Sequence, residues 1–366
     1  MTVLGIESSC DECAAAVVED GERVLSSVVA TQIPLHAAYG GVVPELASRA
    51  HTEWISAVVR EALDAAAVPP SALDAVAATS RPGLLGSLIV GLSFGKAFAW
   101  ARRLPFIAVD HMLAHLYASR LTPPAAPPEY PFLGLLVSGG HSIICRADAF
   151  DQVTVLGATI DDAVGEAFDK VAAHYGLGYP GGAVIDRLAR HGNPDAFRFP
   201  LPRLYKPARD GSDHRFDFSY SGLKTAVIHH LARYSTGATR VGTWDLGLGT
   251  GARCEGVIPP WTCAEDIAAS FEKAAVDILV RSILRAADET GLRTLVAGGG
   301  AAANTLLRER LAAAPDLRCV FPPPSLCGDN AAMVAGLAYH YLARGDRSPL
   351  SESASARVSG FKRRYP

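Results

Sequence analysis

Two histidines spaced four residues apart are the clearest candidates for chemistry in this chain. They are His111 and His115, and they follow a short apolar run at residues 104–109 that predicts a β-strand. The Met, Leu and Ala residues between them favour a helix, which places both imidazoles on one helical face. Two neutral ring nitrogens in this arrangement can bind one metal ion. The alternative is one core histidine and one surface histidine that happen to have this spacing.

The same spacing occurs in zinc metalloproteases, where a Glu directly after the first histidine acts as the general base. Here that position is Met112. The histidine pair therefore predicts a metal site, while hydrolysis of peptides by the metalloprotease mechanism is disfavoured and stays the rival enzyme activity.

Length, composition and charge bound the class of protein. The chain has 366 residues, of which 49% are hydrophobic and 19% charged, as in ordinary globular proteins, and its length predicts two domains or one duplicated architecture. The net charge of −3 provides no global basic field, so any contact with nucleic acid must be local. Residues 84–101 are strongly apolar, but Gly86, Gly95 and Lys96 interrupt them, which predicts a packed internal helix rather than a membrane span.

The cysteines do not indicate a disulfide framework, because there are seven of them at irregular spacings. Cys10 and Cys13 form a single close pair, whereas Cys254 and Cys263 are too far apart to complete a typical four-cysteine zinc site. The first residues form an apolar strand without the basic flank of a signal peptide. We therefore expect a cytoplasmic protein.

Two similar hairpins indicate an internal duplication. Residues 3–18 read as strand, polar turn and returning strand, and residues 132–145 repeat this pattern around the small turn at 138–142. Backbone N–H groups in such a turn can surround a phosphate. Either hairpin alone could also be a simple structural hairpin.

Further elements place polar residues and glycines where a ligand could bind. A helix at 161–171 carries Asp169, a glycine-rich loop at 176–182 follows it, and Asp186 lies in the next helix. A strand at 294–297 leads into glycines and a helix that starts near Asn304, which suits a nucleotide, although the spacing is not that of a Rossmann dinucleotide site. Asp329 precedes a final helix at 331–342. An aspartate at this position would ordinarily cap the free N–H groups of that helix.

Four further segments predict connections between domains or local charge. The proline-rich stretch at 121–128 predicts an extended linker, and the Gly- and Thr-rich stretch at 234–263 predicts an insertion loop. Residues 197–215 combine Arg and Lys with aromatic residues, which suits nucleic acid but is also compatible with a plain loop. The tail at 361–365 is a second, weaker basic cluster.

Several motifs appear together in collinear order over almost the whole chain. They occupy residues 5–12 (GIESSCDE), 40–45 (GGVVPE), 111–115 (HMLAH), 138–141 (SGGH), 165–170 (GEAFDK), 218–224 (FSYSGLK), 298–304 (GGGAAAN) and 328–330 (GDN). In these motifs the chain resembles the bacterial tRNA N6-adenosine threonylcarbamoyltransferases, formerly called O-sialoglycoprotein endopeptidases. Ser8 and Cys13 stand where that family more usually has Thr, which leaves Asp11 in place.

The resemblance implies the duplicated two-lobed α/β fold of actin, heat-shock ATPases and sugar kinases, with the site between the lobes. The first lobe would span residues 1–128 and be joined by the C-terminal segment at about 340–366. The second would span residues 129–339 and contain the insertion at about 234–263.

The resemblance also implies a reaction, in which a threonylcarbamoyl group passes from threonylcarbamoyl-AMP to the N6 amine of adenosine 37 in tRNAs that read codons beginning with A. The metal ligands would be His111, His115 and Asp329, with iron(II) preferred and zinc as the rival. Asp11 would assist the chemistry. The substrate contacts implied in the same way are Val137, Ser138, Gly139, Gly140, His141, Asp169, Gly182, Asp186 and Asn304.

The partners implied by the resemblance are tRNA, the donor threonylcarbamoyl-AMP, a paralogous non-catalytic protein and a small ATPase, with no membrane. A protein of another class, a nucleotide-sensing scaffold that only assembles partners, is the alternative. A metal site with open positions beside a nucleotide site would be excessive for such a scaffold.

Overall fold

A computed structural model describes residues 1–121, 127–202, 215–232, 264–357 and 362–363. The predicted insertion at 234–263 lies outside these residues. Most of the predicted linker, at 122–126, and most of the first basic segment, at 203–214, also lie outside them.

The first sheet contains five strands in the order β3-β2-β1-β4-β5. The strands are β1 Thr2–Glu7, β2 Glu12–Glu19, β3 Arg23–Thr31, β4 Ala75–Arg81 and β5 Phe106–Asp110. Strands β1, β2 and β3 form an antiparallel meander, and β4 and β5 add to β1 in parallel. The helices of this part are α1 Ile33–Ala37, α2 Pro44–Ala65, α3 Leu85–Arg102 and α4 His111–Tyr117.

The second sheet repeats this plan with six strands in the order β10-β9-β6-β7-β8-β11. They are β6 Phe132–Val137, β7 Ser142–Ala149, β8 Gln152–Ala158, β9 Thr294–Gly298, β10 Arg318–Val320 and β11 Lys362–Arg363. The helices are α5 Val164–His174, α6 Gly181–Ala189, α7 Ser221–Ala232, α8 Ala264–Thr290, α9 Thr305–Ala312 and α10 Ala331–Arg344.

The two sheets share one topology. Read from the meander edge, β3-β2-β1-β4-β5 corresponds to β8-β7-β6-β9-β10, because β6, β7 and β8 are antiparallel and β9 and β10 are parallel to β6. The central strands are buried on both faces, as their continuous apolar runs require. The predicted duplication and the two-lobed α/β fold are therefore confirmed.

Helix α10 connects the two halves of the structure. It follows the second sheet in sequence but packs on β1 and β2 of the first sheet, close enough that a Cβ at Gly5 would lie 2.3 Å from the Ala331 carbonyl oxygen. After α10 the chain returns to the second sheet, where β11 pairs with β8. The lobe boundaries proposed from sequence, 1–128 with 340–366 and 129–339, stay a prediction.

The predicted strands and helices are found with shifts of a few residues. One start is wrong in an informative way: the helix expected from residue 161 begins at Val164. Asp161 precedes it because its carboxylate accepts hydrogen bonds from Ser219, Tyr220 and Ser221 at the start of α7 instead. Among the residues that the structure describes, no helix is long and apolar enough to cross a membrane.

Candidate metal centre and adjoining cleft

Helix α4 starts at the last residue of β5 and carries both candidate histidines. The carboxylate of Asp110 caps it by accepting hydrogen bonds from the N–H groups of Met112 (3.0 Å) and Leu113 (3.4 Å). The rings of His111 and His115 meet edge to face, with centroids 4.5 Å apart. The predicted helix and the shared face of the two imidazoles are thus confirmed.

Asp329 reaches the two histidines from a distant part of the chain. Its Oδ1 lies 3.1 Å from Nε2 of His115 and 3.5 Å from Nε2 of His111. The alternative role, capping of α10, is wrong because Asn330 is the N-cap and accepts a hydrogen bond from the N–H of Met333. Asp329 is therefore available to bind a ligand with its carboxylate.

Glu7, at the end of β1, is a site residue that the sequence reasoning did not assign. It is completely buried, and its Oε2 lies 3.0 Å from Nδ1 of His111. The hydroxyl of Thr79 and the N–H of Ser9 also donate to this carboxylate, each at 2.6 Å. Because a carboxylate accepts, it holds a ring proton on Nδ1, so Nε2 of His111 is the nitrogen that would bind a metal ion in place of its own proton. The available signal was a glutamate that ends an otherwise apolar strand.

The electrostatics of this cluster favour positive charge at its centre. Burial lowers the pKa of His111, but the carboxylates of Glu7 and Asp329 outweigh that effect and raise the pKa to about 9. Burial raises the pKa of Asp329, yet the nearby histidines bring it well below its usual range. Burial and the charge of His111 together lower the pKa of His115. A bound cation would provide the positive charge that these carboxylates attract.

The donor set fits a transition-metal ion. One nitrogen of each histidine and one oxygen of Asp329 all lie within 4.8 Å of one another, and the histidines are buried. Two imidazoles and one carboxylate are typical ligands of iron(II) and of zinc, and they leave coordination positions open. The structure thus contains a possible metal-binding group at the three positions expected from the sequence.

The small turn after β6 lies next to this group. It is closed by hydrogen bonds from the N–H of Ser138 to the His141 carbonyl oxygen (2.7 Å) and from the N–H of His141 to Oγ of Ser138 (3.1 Å). Gly139 and Gly140 at its tip are exposed. Burial, followed by the charges of His111 and His115, lowers the pKa of His141, so this side chain lies within electrostatic reach of the cluster.

The glycine-rich loop after β9 joins the metal cluster to this turn. A Cβ at Gly298 would lie 2.4 Å from the His115 carbonyl oxygen, and one at Gly299 would lie 2.3 Å from the Val137 carbonyl oxygen. Gly299 also has a φ of +92°, a conformation that side chains other than glycine rarely adopt. The loop therefore packs directly against the backbones of both α4 and β6.

A cavity of about 430 Å³ opens beside the loop. Gly182, Asp186 and Asn304, three of the predicted substrate contacts, line it together with apolar side chains of α5, α8 and α9. Asp186 accepts a hydrogen bond from the N–H of Thr305 (2.7 Å), so it ties α6 to the start of α9. A cavity of this size, mostly apolar with a few polar groups, is typical of small-molecule sites.

Asp169 lies on α5, and its carboxylate reaches the start of α6, where the N–H of Gly181 donates to it at 2.7 Å. Burial raises its pKa to about 6, and the charge of Asp11 adds to this effect. Asp11 lies half-buried in the turn between β1 and β2, where its carbonyl oxygen accepts a hydrogen bond from Gln32. The charge of Asp11, in the turn after β1, thus acts on the carboxyl group of Asp169 in α5.

The cysteines of the described residues are free, as expected. Burial raises the pKa of the Cys13 thiol to about 12 and that of Cys10 still further, so neither thiol is ionised at neutral pH. Cys254 and Cys263 lie outside the described residues.

Two solved structures share this fold at low sequence identity. Full-length HypF, in a phosphate- and nucleotide-bound form, is similar over 95% of this chain and 47% of its own, with 14% identity and a TM-score of 0.54. Component A of the (R)-2-hydroxyglutaryl-CoA dehydratase of Acidaminococcus fermentans is similar over 94% of this chain and 99% of its own, with 13% identity and a TM-score of 0.52. These likenesses support the two-lobed α/β fold alone.

Sequence relatives are much closer. The family model for tRNA N6-adenosine threonylcarbamoyltransferase matches residues 23–336. Proteins of that name are 56% identical in Treponema denticola, over all of this chain and 99% of theirs, and 51% identical in Treponema pallidum, over all of this chain and 95% of theirs. The protein of that name in Borrelia hermsii is 43% identical over 99% of this chain and 98% of its own. The chain therefore belongs to the tRNA N6-adenosine threonylcarbamoyltransferase family.

Proposed function

We propose that this chain transfers the threonylcarbamoyl group of threonylcarbamoyl-AMP to the N6 amine of adenosine 37 in tRNAs that read codons beginning with A, and releases AMP. The names of the relatives support the transfer to tRNA. The observation that carries the proposal is the contact of Gly298 with His115 and of Gly299 with Val137. This loop joins a group able to bind a metal to a turn and a cleft able to bind a nucleotide.

The cofactor would be one divalent metal ion, held by His111, His115 and Asp329. Iron(II) suits two histidines and one carboxylate with open positions, and zinc is the rival. When bound, the ion would supply Lewis acidity to the carbonyl group of the threonylcarbamoyl moiety. Glu7 supports this role because it holds His111 with Nε2 directed to Asp329.

The donor would lie along the turn and the cleft. N–H groups of the turn, from Ser138 to His141, would bind the phosphate of the AMP leaving group and stabilise its charge as it departs. Val137 would contribute to the same turn. Asp169, Gly182, Asp186 and Asn304 would bind the nucleoside part, since carboxylates accept hydrogen bonds from sugar hydroxyls.

Asp11 would act as the general base. The exocyclic amine of adenine is a weak nucleophile, so its proton must leave as the new bond forms. Asp11 is half-buried, and its charge acts on Asp169 of α5, one of the residues proposed to bind the donor, which supports this role. An Asp11→Asn variant that binds the donor tightly but transfers slowly would support this role, and full turnover would remove it.

The partners would be tRNA, a paralogous non-catalytic protein and a small ATPase, in the cytoplasm. The basic segments at 197–215 and 361–365 are the local features suited to tRNA. Threonylcarbamoyl-AMP would come from a separate synthase.

The test measures AMP released from threonylcarbamoyl-AMP in the presence of tRNA and the partner proteins, with tRNA that has guanosine at position 37 as the negative substrate. The Asp329→Ala variant should release no AMP. The Asp148→Ala variant should release AMP as wild type does, because Asp148 is an exposed acid paired with Arg146 on β7. If the Asp329→Ala variant still binds the partner proteins and wild type releases no AMP, the chain is a scaffold. Peptide cleavage that disappears in His111→Ala would instead support the metalloprotease.

A further inference from the structure

Glu272 is a buried carboxyl group to which the proposed mechanism gives no role. It lies on α8 with 4% of its surface exposed, and its Oε1 accepts a hydrogen bond from Nδ2 of Asn304 at 2.6 Å. Asn304 lines the cleft of about 430 Å³, and Glu272 contacts it from the adjoining helix. A buried carboxylate is costly unless it is hydrogen-bonded, so this contact requires an explanation.

The amide of Asn304 is held at both ends. Its Oδ1 accepts a hydrogen bond from the N–H of Leu307 at 2.8 Å, and its Nδ2 donates to Glu272. The backbone N–H of Leu307 can only donate, so it faces Oδ1 of the amide, and this orientation turns Nδ2 toward Oε1 of Glu272, which accepts. The second N–H and the second lone pair of the amide are left for a molecule in the cleft.

Two of the charged groups that act on Glu272 pair with each other: Asp186 of α6 and Arg190, which directly follows that helix. Glu309 of α9 also acts on Glu272. The contact of Glu272 with Asn304 is a hydrogen bond to a neutral amide.

We propose that Glu272 is a positioning residue, which fixes the Asn304 amide in the orientation that binds the nucleoside part of the donor. This inference rests on the proposed function. A side chain already held in its binding orientation loses less conformational freedom when the ligand arrives, so the nucleotide binds more tightly. Glu272 acts only through Asn304 and touches no reacting atom.

The test is calorimetric titration of the full-length protein with AMP. Glu272→Met keeps the length and burial of the side chain but cannot accept the hydrogen bond, and it should weaken AMP binding about tenfold. Glu272→Gln retains an acceptor and should restore affinity to within about threefold of wild type. Ser282→Ala, a buried polar site on the same helix, is the matched control and should bind as wild type does.

A double-mutant cycle tests whether Glu272 acts through Asn304. Asn304→Ala should weaken AMP binding, and adding Glu272→Met should cause no further loss. In transfer assays Glu272→Met should raise KM for the donor with little change in kcat. Equal AMP affinity of wild type and Glu272→Met, or additive losses in the cycle, would overturn the role of Glu272 while the proposed function stands. Absence of AMP binding by wild type would overturn both.

Discussion

The Nδ1 atom of His111 lies 3.0 Å from Oε2 of Glu7, although the two residues are 104 positions apart in the sequence. A buried carboxylate that accepts the Nδ1 proton is a common support for a metal-binding histidine. The same carboxylate accepts hydrogen bonds from Thr79 and Ser9, so its position is fixed independently of any metal. The first strand of the chain thus orients a ligand on the fourth helix.

Glu7→Gln should weaken the binding of the metal ion. The amide lacks the negative charge that holds the Nδ1 proton and makes Nε2 more basic, so we expect a loss of about 10- to 100-fold in metal affinity. Titration of the metal-free protein with metal in the presence of a competing chelator measures this affinity. Glu19→Gln, at the far end of the hairpin, is the control and should bind as wild type does. Equal affinity of Glu7→Gln and wild type would show that His111 needs no such support.

Gly299→Ala should destabilise the protein, whereas Gly300→Ala should not. The added Cβ at Gly299 would lie 2.3 Å from the Val137 carbonyl oxygen, at a φ of +92°, and a Cβ at Gly300 meets nothing within 4 Å. We expect a loss of about 2 kcal/mol or more in the free energy of unfolding for the first variant and less than about 1 kcal/mol for the second. Urea denaturation measures both, and equal values would mean that the loop is not packed as described.

Glu272 should make stability fall as the pH rises. Burial raises its pKa to about 7 from an ordinary 4.5, so between these values the folded protein holds a proton that the unfolded chain has released. About 3 kcal/mol of stability present at low pH is therefore lost progressively as the pH rises from about 4.5 to about 7. Glu272→Gln cannot ionise and should gain stability relative to wild type at about pH 8 but not at about pH 4. Parallel stability profiles of the two proteins would contradict the raised pKa.

Asp161→Ala should weaken the start of α7. The carboxylate accepts hydrogen bonds from the N–H groups of Tyr220 (2.8 Å) and Ser221 (3.2 Å). These groups stand at the start of the helix, where no preceding turn supplies a carbonyl oxygen for them. We expect a loss of about 1 kcal/mol for Asp161→Ala and a smaller loss for Asp161→Asn, which can still accept. Guanidinium denaturation at neutral pH gives both values. A loss that is the same in both variants would assign the effect to charge rather than to capping.

The same carboxylate should contribute a pH dependence of the opposite sign to that of Glu272. Burial raises the pKa of Asp161, but the hydrogen bonds from Ser219 and Ser221 outweigh this and lower it. An acid with a lowered pKa stabilises the folded state above its ordinary pKa and loses this contribution as the pH falls through the folded value. The difference in stability between Asp161→Ala and wild type should therefore shrink in acid.

Local features of the fold could be predicted from the sequence. The histidine spacing places both rings on one face of α4, and the two apolar hairpins indicate the duplication that the sheets display. These predictions succeed because strand and helix periodicity and turn chemistry depend on neighbours in the sequence. The prediction that a helix begins at Asp161 is wrong for the converse reason, because the groups that bind its carboxylate lie about 60 residues further along the chain.

The tertiary contacts of the site could not be predicted from residue spacing or periodicity. Asp329 and Asn330 are both residue types that cap helices, and spacing cannot show that Asn330 caps α10 while Asp329 turns to His115. Glu7 and Glu272 belong to an apolar strand and an amphipathic helix, where nothing local separates a buried glutamate with a partner from a surface charge. Their roles depend on which distant side chain packs against them.

The most direct test of the central claim is nucleoside mass spectrometry of unmodified tRNA incubated with the purified protein, threonylcarbamoyl-AMP, divalent metal and the partner proteins. Wild type and His111→Ala would be compared side by side at equal concentration of folded protein. We predict threonylcarbamoyladenosine at position 37 with wild type and none above background with His111→Ala. Modified adenosine from neither protein, with active partners, would contradict the transferase, and equal product from both would contradict the role of the metal centre.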